Sequence, residues 1–398
     1  MGPTSAASFW MVLASALALL AIPGLVLFYR GRAAGGFART MTLSLAGAAI
    51  VPVLWLLYGH GLVFGAPLVS GLLGDPGRRI VIGDIPGADS LAVIAFVIAS
   101  AVVAVTILAV AVADRVTLLG WLVFTAAWLS VVLFPILYWV LNETDGWASG
   151  MGVADLAGGS FVHISAGTSA LALLLVFAGR RGQLPDPAQL VDSRPASRRL
   201  WTTPVGALLV LIGWLGLNIS SEGTVDELTW LIALNTLAAA AAGACGWIVA
   251  EKLSTSTLSR TAASTGAIAG LVAIAPGCAS FAPGWASAVG LLAGASCAFA
   301  VLASRRRRRG VSFRVVNIHV VAGLVGMLYI GIFAREVGFI YNGNPAQSIA
   351  QVSTVVGVGV YSFAVSWVLG LATVRPRRVA QNGRYFRLFS GKSGQLDD

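Results

Sequence analysis

Charge is scarce in this 398-residue chain: 11% of its residues are Asp, Glu, Lys or Arg, where a soluble domain carries roughly 25%. With 57% hydrophobic residues and a mean hydropathy of +0.86, that scarcity excludes an ordinary water-soluble fold. Cysteine is rarer still. Cys245, Cys278 and Cys297 lie in apolar runs without metal-ligand spacing, so they read as core residues and no disulfide framework is expected. The opening MGPTSAASFW lacks the basic segment of a cleavable signal, and the first apolar run is expected to be retained. A separate soluble domain is missing too. The longest inner loop, about 180–202, is a Pro- and Arg-rich connector, and the tail after Val374 is too short to fold alone.

What the chain does have is apolar runs long enough for helices rather than barrel strands. Hydropathy gives eleven spans, roughly 7–29, 41–65, 91–113, 117–141, 157–178, 203–219, 228–251, 262–276, 284–303, 315–334 and 350–374. The fold class expected is an all-α polytopic membrane protein. It comprises two five-span repeats, about 7–180 and 203–335, with an extra helix, 350–374, completing a membrane domain of residues 1–374. A basic tail, 375–398, follows.

The bases fix the orientation. Following alternate spans through the chain places 23 of the 26 Lys and Arg residues on one side, with Arg78, Arg79 and Arg335 on the other. By the positive-inside rule the N-terminus is outside and the C-terminus cytoplasmic, which puts a multi-pass protein in the cell (plasma) membrane. The net charge of +10 is therefore mostly a topology signal. The run Arg305 to Arg309 reads as a solvated stop at a membrane face, with no nucleic-acid partner.

Two of the three histidines fall in segments fit for lipid. His163 lies in the fifth span and His319 in the tenth, and the surrounding sequence echoes itself: HISAG beside HVVAG, with FAGR (177–180) and FAR (333–335) at the same distance beyond. An odd number of spans per repeat inverts the second half, and inverted repeats place their functional site near the midplane, at the pseudo-twofold axis. A His163–His319 pair is natural there. Gly167 and Gly323 lie at i+4 from each histidine, on the same helical face, where a missing side chain lets helices come close. Hydropathy alone sets His163 near the outer start of its span and His319 near the inner start of its own. For the rings to meet, the stretches DLAGGS and VSFRVV must run deeper than a simple helix count suggests, as broken segments inside a bundle can. Intramembrane ionisable residues are expensive and point to function. A satisfied core histidine, axial ligation of one haem and a proton relay are the readings available. The narrow, Gly-rich surroundings fit a haem poorly, and neutral imidazole, donating at one nitrogen and accepting at the other, fits a relay.

Other polar candidates flank the outer ends of spans. Asp155, before the fifth span, suits an N-cap, or a carboxylate at the mouth that attracts or orients a cation. Asn218, Ser220 and Ser221 close the sixth span, where they satisfy freed carbonyls or accept a bond from an ammonium-type donor. Trp139 and Trp147 flank the outer loop before Asp155 and offer a cation–π face. The outer loops are acid-rich, with Glu222 and Asp226 among their carboxylates.

These residues together resemble the ammonium transporter/Rh family from about residue 8 to 375. The resemblance is carried by IPGLVLFY (22–29), WLVFTAAW (121–128), DLAGGSFVHI (155–164), GWLGLN (213–218), LNT (234–236), GAIAGLVAIAPGC (266–278) and the H-x-x-A-G at His319. It implies a homotrimer with one pore per subunit, an outer recruitment site, two stacked phenylalanines and a histidine pair lining an apolar channel. His163 and His319 match the twin histidines, Asp155 the aspartate at the mouth and Ser221 the recruitment serine. Asn218 matches the asparagine beside the gate, and Phe96 an aromatic flanking the vestibule. The gates depart from the pattern: the first phenylalanine falls on Ser100 and the second on Leu217. The vestibule tryptophan falls near Leu141, so Trp139 or Trp147 stands in as candidate. The aspartate five residues before the second histidine is Arg314, and the glycine after that histidine is Val320. The tail, RPRRVAQNGRYFRLFSGKSGQLDD, does not match the acidic tail that meets PII regulators, which puts PII control in doubt.

The function this implies is ammonium transport, not enzymatic and without a cofactor. Ammonium is recruited outside, deprotonated, and passed as ammonia along the histidine pair. The alternatives are a non-conducting or weakly conducting sensor, and an uncharged-gas channel for ammonia or carbon dioxide.

Overall fold

The structure, a computed structural model, describes residues 3–31, 36–78, 88–181, 201–307 and 310–373. Among the described residues ten helices are long and apolar enough to cross a membrane: α1 (Ala6–Arg30), α2 (Gly36–Phe64), α3 (Leu91–Val112), α4 (Leu118–Leu141), α5 (Gly159–Gly179), α6 (Thr202–Ser220), α7 (Glu227–Thr255), α9 (Pro283–Arg306), α10 (Val311–Phe333) and α11 (Ala346–Thr373). The remaining expected span, α8 (Ala262–Gly277), is a shorter apolar helix that ends in a 3-10 turn at Ala275–Gly277. Leucines, valines and aromatics such as Leu119, Val123, Leu208, Trp230, Val360 and Val368 stand exposed on the outer faces. Water would not tolerate such a surface; the acyl chains of a bilayer match it.

Neighbour relations repeat between the halves. α2 packs on α3 and α4 as α7 packs on α8 and α9, and α3 meets α5 as α8 meets α10. α1 lies against α6, and α5 against α10, joining the halves at two equivalent seams. α11 lies outside this arrangement, along α5 and α10. Its Gln351 is fully buried, accepts from the Ala154 N–H (3.0 Å) and donates to the carbonyls of Ala154 (2.8 Å) and Met327 (3.1 Å). One side chain thus ties the last helix to both halves.

Arg30, Arg39, Arg115 and Arg305 gather at one end, and Arg335, after α10, lies at the other. Arg30, fully buried, donates to the Val110 carbonyl through Nε (2.9 Å) and Nη2 (2.6 Å) and forms an ion pair with Asp114. Arg39 donates to the Ala113 carbonyl (2.8 Å), Arg115 to Ser312 Oγ (2.8 Å), and Arg305 pairs with Glu251 at 3.5 Å. The ends of α1 and α3 and the starts of α2 and α10 therefore share a face, as the alternation of charge requires. Arg32, Arg79, Arg194, Arg198, Arg199, Arg308, Arg309 and the tail 375–398 lie outside the described residues.

Asp114→Asn leaves the buried Arg30 guanidinium without its counter-charge, a change that costs about 3 kcal/mol or more when a buried pair is broken. Thermal unfolding of the purified protein in detergent is expected to move down by several degrees, whereas Glu336→Gln, on an exposed loop, leaves it in place.

Candidate functional site

The chain approaches His163 without helical structure from Val153 to Ala157, and that segment lies at the buried end of α5. At such depth every backbone group needs a protein partner. Asp155 supplies most of them. Its Oδ1 accepts from the N–H groups of Gly158 (3.1 Å) and Gly159 (2.6 Å), and its Oδ2 from the N–H (2.7 Å) and hydroxyl (2.5 Å) of Ser160. The Leu156 and Ala157 N–H groups donate to the carbonyls of Pro276 (2.9 Å) and Ala275 (3.2 Å), at the broken end of α8. Gly158 takes φ +98°, open to glycine without strain, and turns the chain into a helix start.

α5 then opens as a π-helix, Gly159–Ile164, with the His163 N–H donating to the Gly158 carbonyl at 3.1 Å. Such turns recur at functional sites because they re-aim one side chain against the helical register. α10 solves the same problem differently. It begins at Val311, four residues before hydropathy placed it, and runs unbroken to Phe333. His319 thus lies about 12 Å from its start. Arg314, which hid the start from a hydropathy window, is inside the helix.

The two histidine rings, fully buried, have centroids 5.3 Å apart and are tilted by 31°. The glycines account for the approach. A methyl group on Gly323 would lie 3.3 Å from His163 Cβ, and one on Gly167 would lie 2.5 Å from Val320 Cγ2 and 3.7 Å from His319 Cβ. Each repeat's glycine makes room for the other repeat's histidine.

Among the described residues neither nitrogen of His163 has a hydrogen-bond partner, nor does Nδ1 of His319, and His319 Nε2 has the Tyr29 hydroxyl, at 3.5 Å. Buried polar atoms in folded proteins are nearly always paired. Three unpaired ring nitrogens in one place therefore mark groups that act on something other than the fold. Trp214, on α6, stacks on His163 with centroids 5.1 Å apart and planes within 9°. Tyr29, at the end of α1, has its ring 6.2 Å from that of His319. Neither was singled out from the sequence, although both lie in quoted motifs, GWLGLN and IPGLVLFY. A tryptophan in a membrane span reads first as an interfacial anchor, and that default concealed Trp214.

The other candidates separate. Asp155 is spent on backbone, as an N-cap. Ser221, at the end of α6, donates to the Asn218 carbonyl (2.7 Å), keeping its lone pairs for accepting. Asn218 Nδ2 donates to Thr236 Oγ1 (2.9 Å), and its Oδ1 has no partner. Phe96 and Ser100 lie one turn apart on α3, both buried, with the Ser100 hydroxyl turned to the Val97 carbonyl (2.9 Å); Leu217 is fully buried on α6. Trp147 packs on Trp139 at 5.7 Å and on Gly357 of α11, and Trp139 in turn on Tyr361 at 4.8 Å, with its Nε1 on the Leu72 carbonyl. These contacts tie both tryptophans to the outer loop and α11. Leu141 lines a hollow of 370 Å³ with His60, Phe64, Val93, Ile94 and Glu143 among its walls. The Arg314 guanidinium lies over the rings of Phe28 (6.0 Å) and Tyr29 (5.8 Å), toward the basic end of α10.

The profile described as Ammonium Transporter Family matches residues 9–375. An ammonium transporter of Mycobacterium tuberculosis (H37Rv) is 34% identical over 93% of this chain and 84% of its own length. Among solved structures, Mep2 of Candida albicans is 28% identical with a TM-score of 0.80, covering 93% of this chain and 86% of that one. A structure titled Sensor Amt Protein, 22% identical with a TM-score of 0.79 and 92% coverage of both chains, shares the fold.

Asp155→Ala strands three buried N–H donors, each worth about 1–3 kcal/mol, and is expected to abolish a folded monodisperse protein in size-exclusion chromatography. Asp155→Asn keeps one acceptor and should fold with reduced thermal stability. If its half-saturating ammonium concentration matches the wild type, the carboxylate caps the helix and does not recruit.

Proposed function

This chain belongs to the ammonium transporter family, and from that premise we propose that it carries ammonium by separating the proton from ammonia between His163 and His319. The supporting observation is the buried ring pair, three of whose four nitrogens lack a partner among the described residues. A cation entering hydrocarbon costs several kcal/mol even after local relaxation. Ammonia left by a departing proton does not bear that cost. Neutral imidazole offers one donor and one acceptor, so each ring can hold ammonia weakly and take up or release a proton as its partner does the reverse. Potassium and sodium have no proton to give, and selectivity follows.

The entrance in this reading is formed by Ser221, whose oxygen can accept from ammonium, with Asn218 one turn further in. Phe96, Ser100 and Leu217 form the apolar constriction in the place of stacked phenylalanines. Leu217 and Ser100 present less aromatic face to a cation, so attraction at the mouth must come from elsewhere. On the inner side, Arg314 sits about 7.5 Å along the helix axis from His319. Its charge opposes exit of an ammonium ion and is indifferent to ammonia. An arginine there accords with deprotonation before that point.

The working assembly in this reading is a homotrimer in the plasma membrane, N-terminus outside and C-terminus cytoplasmic, each subunit with its own pore. The two inverted repeats, about 7–180 and 203–335, carry one histidine each.

Full-length protein in proteoliposomes, given an ammonium pulse with sodium and potassium as controls, is expected to pass a saturable, ammonium-selective current. In His163→Ala and His319→Ala the current is expected to vanish or to lose its selectivity against potassium. Absence of current from correctly inserted wild type would reject the proton-relay reading.

A further inference from the structure

One face of α6 carries a second feature, which ends at a carboxylate. Trp214, Asn218 and Glu222 follow at i, i+4 and i+8, a spacing that stacks side chains along one side of a helix. The chain keeps helical hydrogen bonding past Ser220, with the Ser221 N–H on the Leu217 carbonyl (3.2 Å) and the Glu222 N–H on the Ile219 carbonyl (3.3 Å). Each of the three presents a buried polar atom without a hydrogen-bond partner among the described residues: Trp214 Nε1, Asn218 Oδ1 and Glu222 Oε1. Trp214 and Asn218 are fully buried, and Trp214 is the residue stacked on His163. Unpaired buried polar atoms are costly singly, and three in file along one helix face are not accounted for by packing.

Glu222 is held in place rather than adrift. Its Oε2 accepts from Thr229 Oγ1 at 2.7 Å, and Thr229 belongs to the capping box that starts α7 with Asp226. That leaves Oε1 without a donor among the described residues, in a carboxyl that interacts with the Asp226 carboxylate and is next in sequence to Ser221.

We propose that Glu222 is the electrostatic recruiter of this mouth, drawing ammonium to Ser221 in place of the aromatic surface lost at Leu217 and Ser100. The inference rests on the transport reading above and adds a residue to it. Burial pushes the Glu222 carboxyl up to about 7, the Thr229 bond pulling it down and Asp226 pushing it further up. The other titratable group that senses its charge is the Cys278 thiol on the turn after α8; Arg335 is fastened to that same turn through the carbonyls of Ala279 and Ser280. A carboxyl raised in this way is charged above about neutrality and loses its charge below it. Recruitment is therefore strongest in alkaline medium and fades as pH falls through 7.

The test is a series of ammonium chloride concentrations on full-length protein in proteoliposomes at pH 8 and pH 6, comparing wild type, Glu222→Gln, Glu222→Asp and the exposed-site control Glu227→Gln. At pH 8, Glu222→Gln is expected to raise the half-saturating concentration about fivefold, the scale of one partly screened charge, with the maximal current unchanged. Glu222→Asp restores most of that loss, and Glu227→Gln behaves as wild type. Between pH 8 and pH 6 the wild-type value rises toward that of Glu222→Gln, which itself stays flat. Wild-type current with Glu222→Gln indistinguishable at both pH values overturns the inference and leaves transport standing. If wild type passes no current, calorimetric binding of ammonium chloride to purified protein replaces it: the same fivefold loss supports Glu222, and equal affinities overturn it.

Discussion

Backbone polar groups at membrane depth must be satisfied by protein, and this architecture follows from how the constraint is met where α5 begins. A continuous helix would leave His163 near one membrane face. Instead the chain descends unwound from Val153 to Ala157 and turns at Gly158, where Asp155 takes up its N–H groups. Carbonyls of Ala275 and Pro276 receive the two N–H groups Asp155 does not reach. Broken ends of α5 and α8 therefore satisfy each other across the repeat boundary. The depth of His163 is a result of that bargain, and the site exists only where both halves are folded.

The ring pair then depends on contact distance. Helices that pass with side chains between them keep 8–10 Å between axes. At Gly167 and Gly323 the glycine contributes no side chain, and Val320 and Ile164 of the facing helices fill the space directly, so two imidazoles can come within 5.3 Å of each other. Trp214 closes the flank of His163, and Tyr29 that of His319. What surrounds the pair is apolar and tight, and what the pair itself offers is four nitrogens, three of them unpaired. Polarity confined to one line through an apolar wall is the physical requirement for passing a small neutral base while refusing ions.

Much of this was legible from the residues, and for identifiable reasons. The spans follow from hydropathy, which is a strong signal because the bilayer admits so few exceptions. The histidine pair and its glycines were readable because an inverted repeat makes equivalence visible in one sequence. Illegible were features that depend on another helix's position. Trp214 carries no mark separating a stacking partner from an interfacial anchor; Asp155 was readable as a cap, but not that four donors share its carboxylate. Trp147 packs on Trp139 and on Gly357 of α11, and no periodicity announces where an extra helix lies. Arg314 hid the start of α10, since a window average counts a guanidinium against the membrane even where aromatic rings cover it.

Gln351 has a consequence for the order in which the molecule is made. Ala154 and Met327 are synthesised before α11, and their carbonyls lie at the level where the unwound segment enters the bundle. A ribosome that has delivered the first ten spans has delivered both repeats and both histidines, yet not the side chain that clips these two carbonyls together. Maturation of the pore therefore ends with the arrival of the helix that contributes no histidine to it. The last span acts as a latch applied after assembly, and quality control that senses unpaired polar backbone in the bilayer would distinguish a latched molecule from an unlatched one.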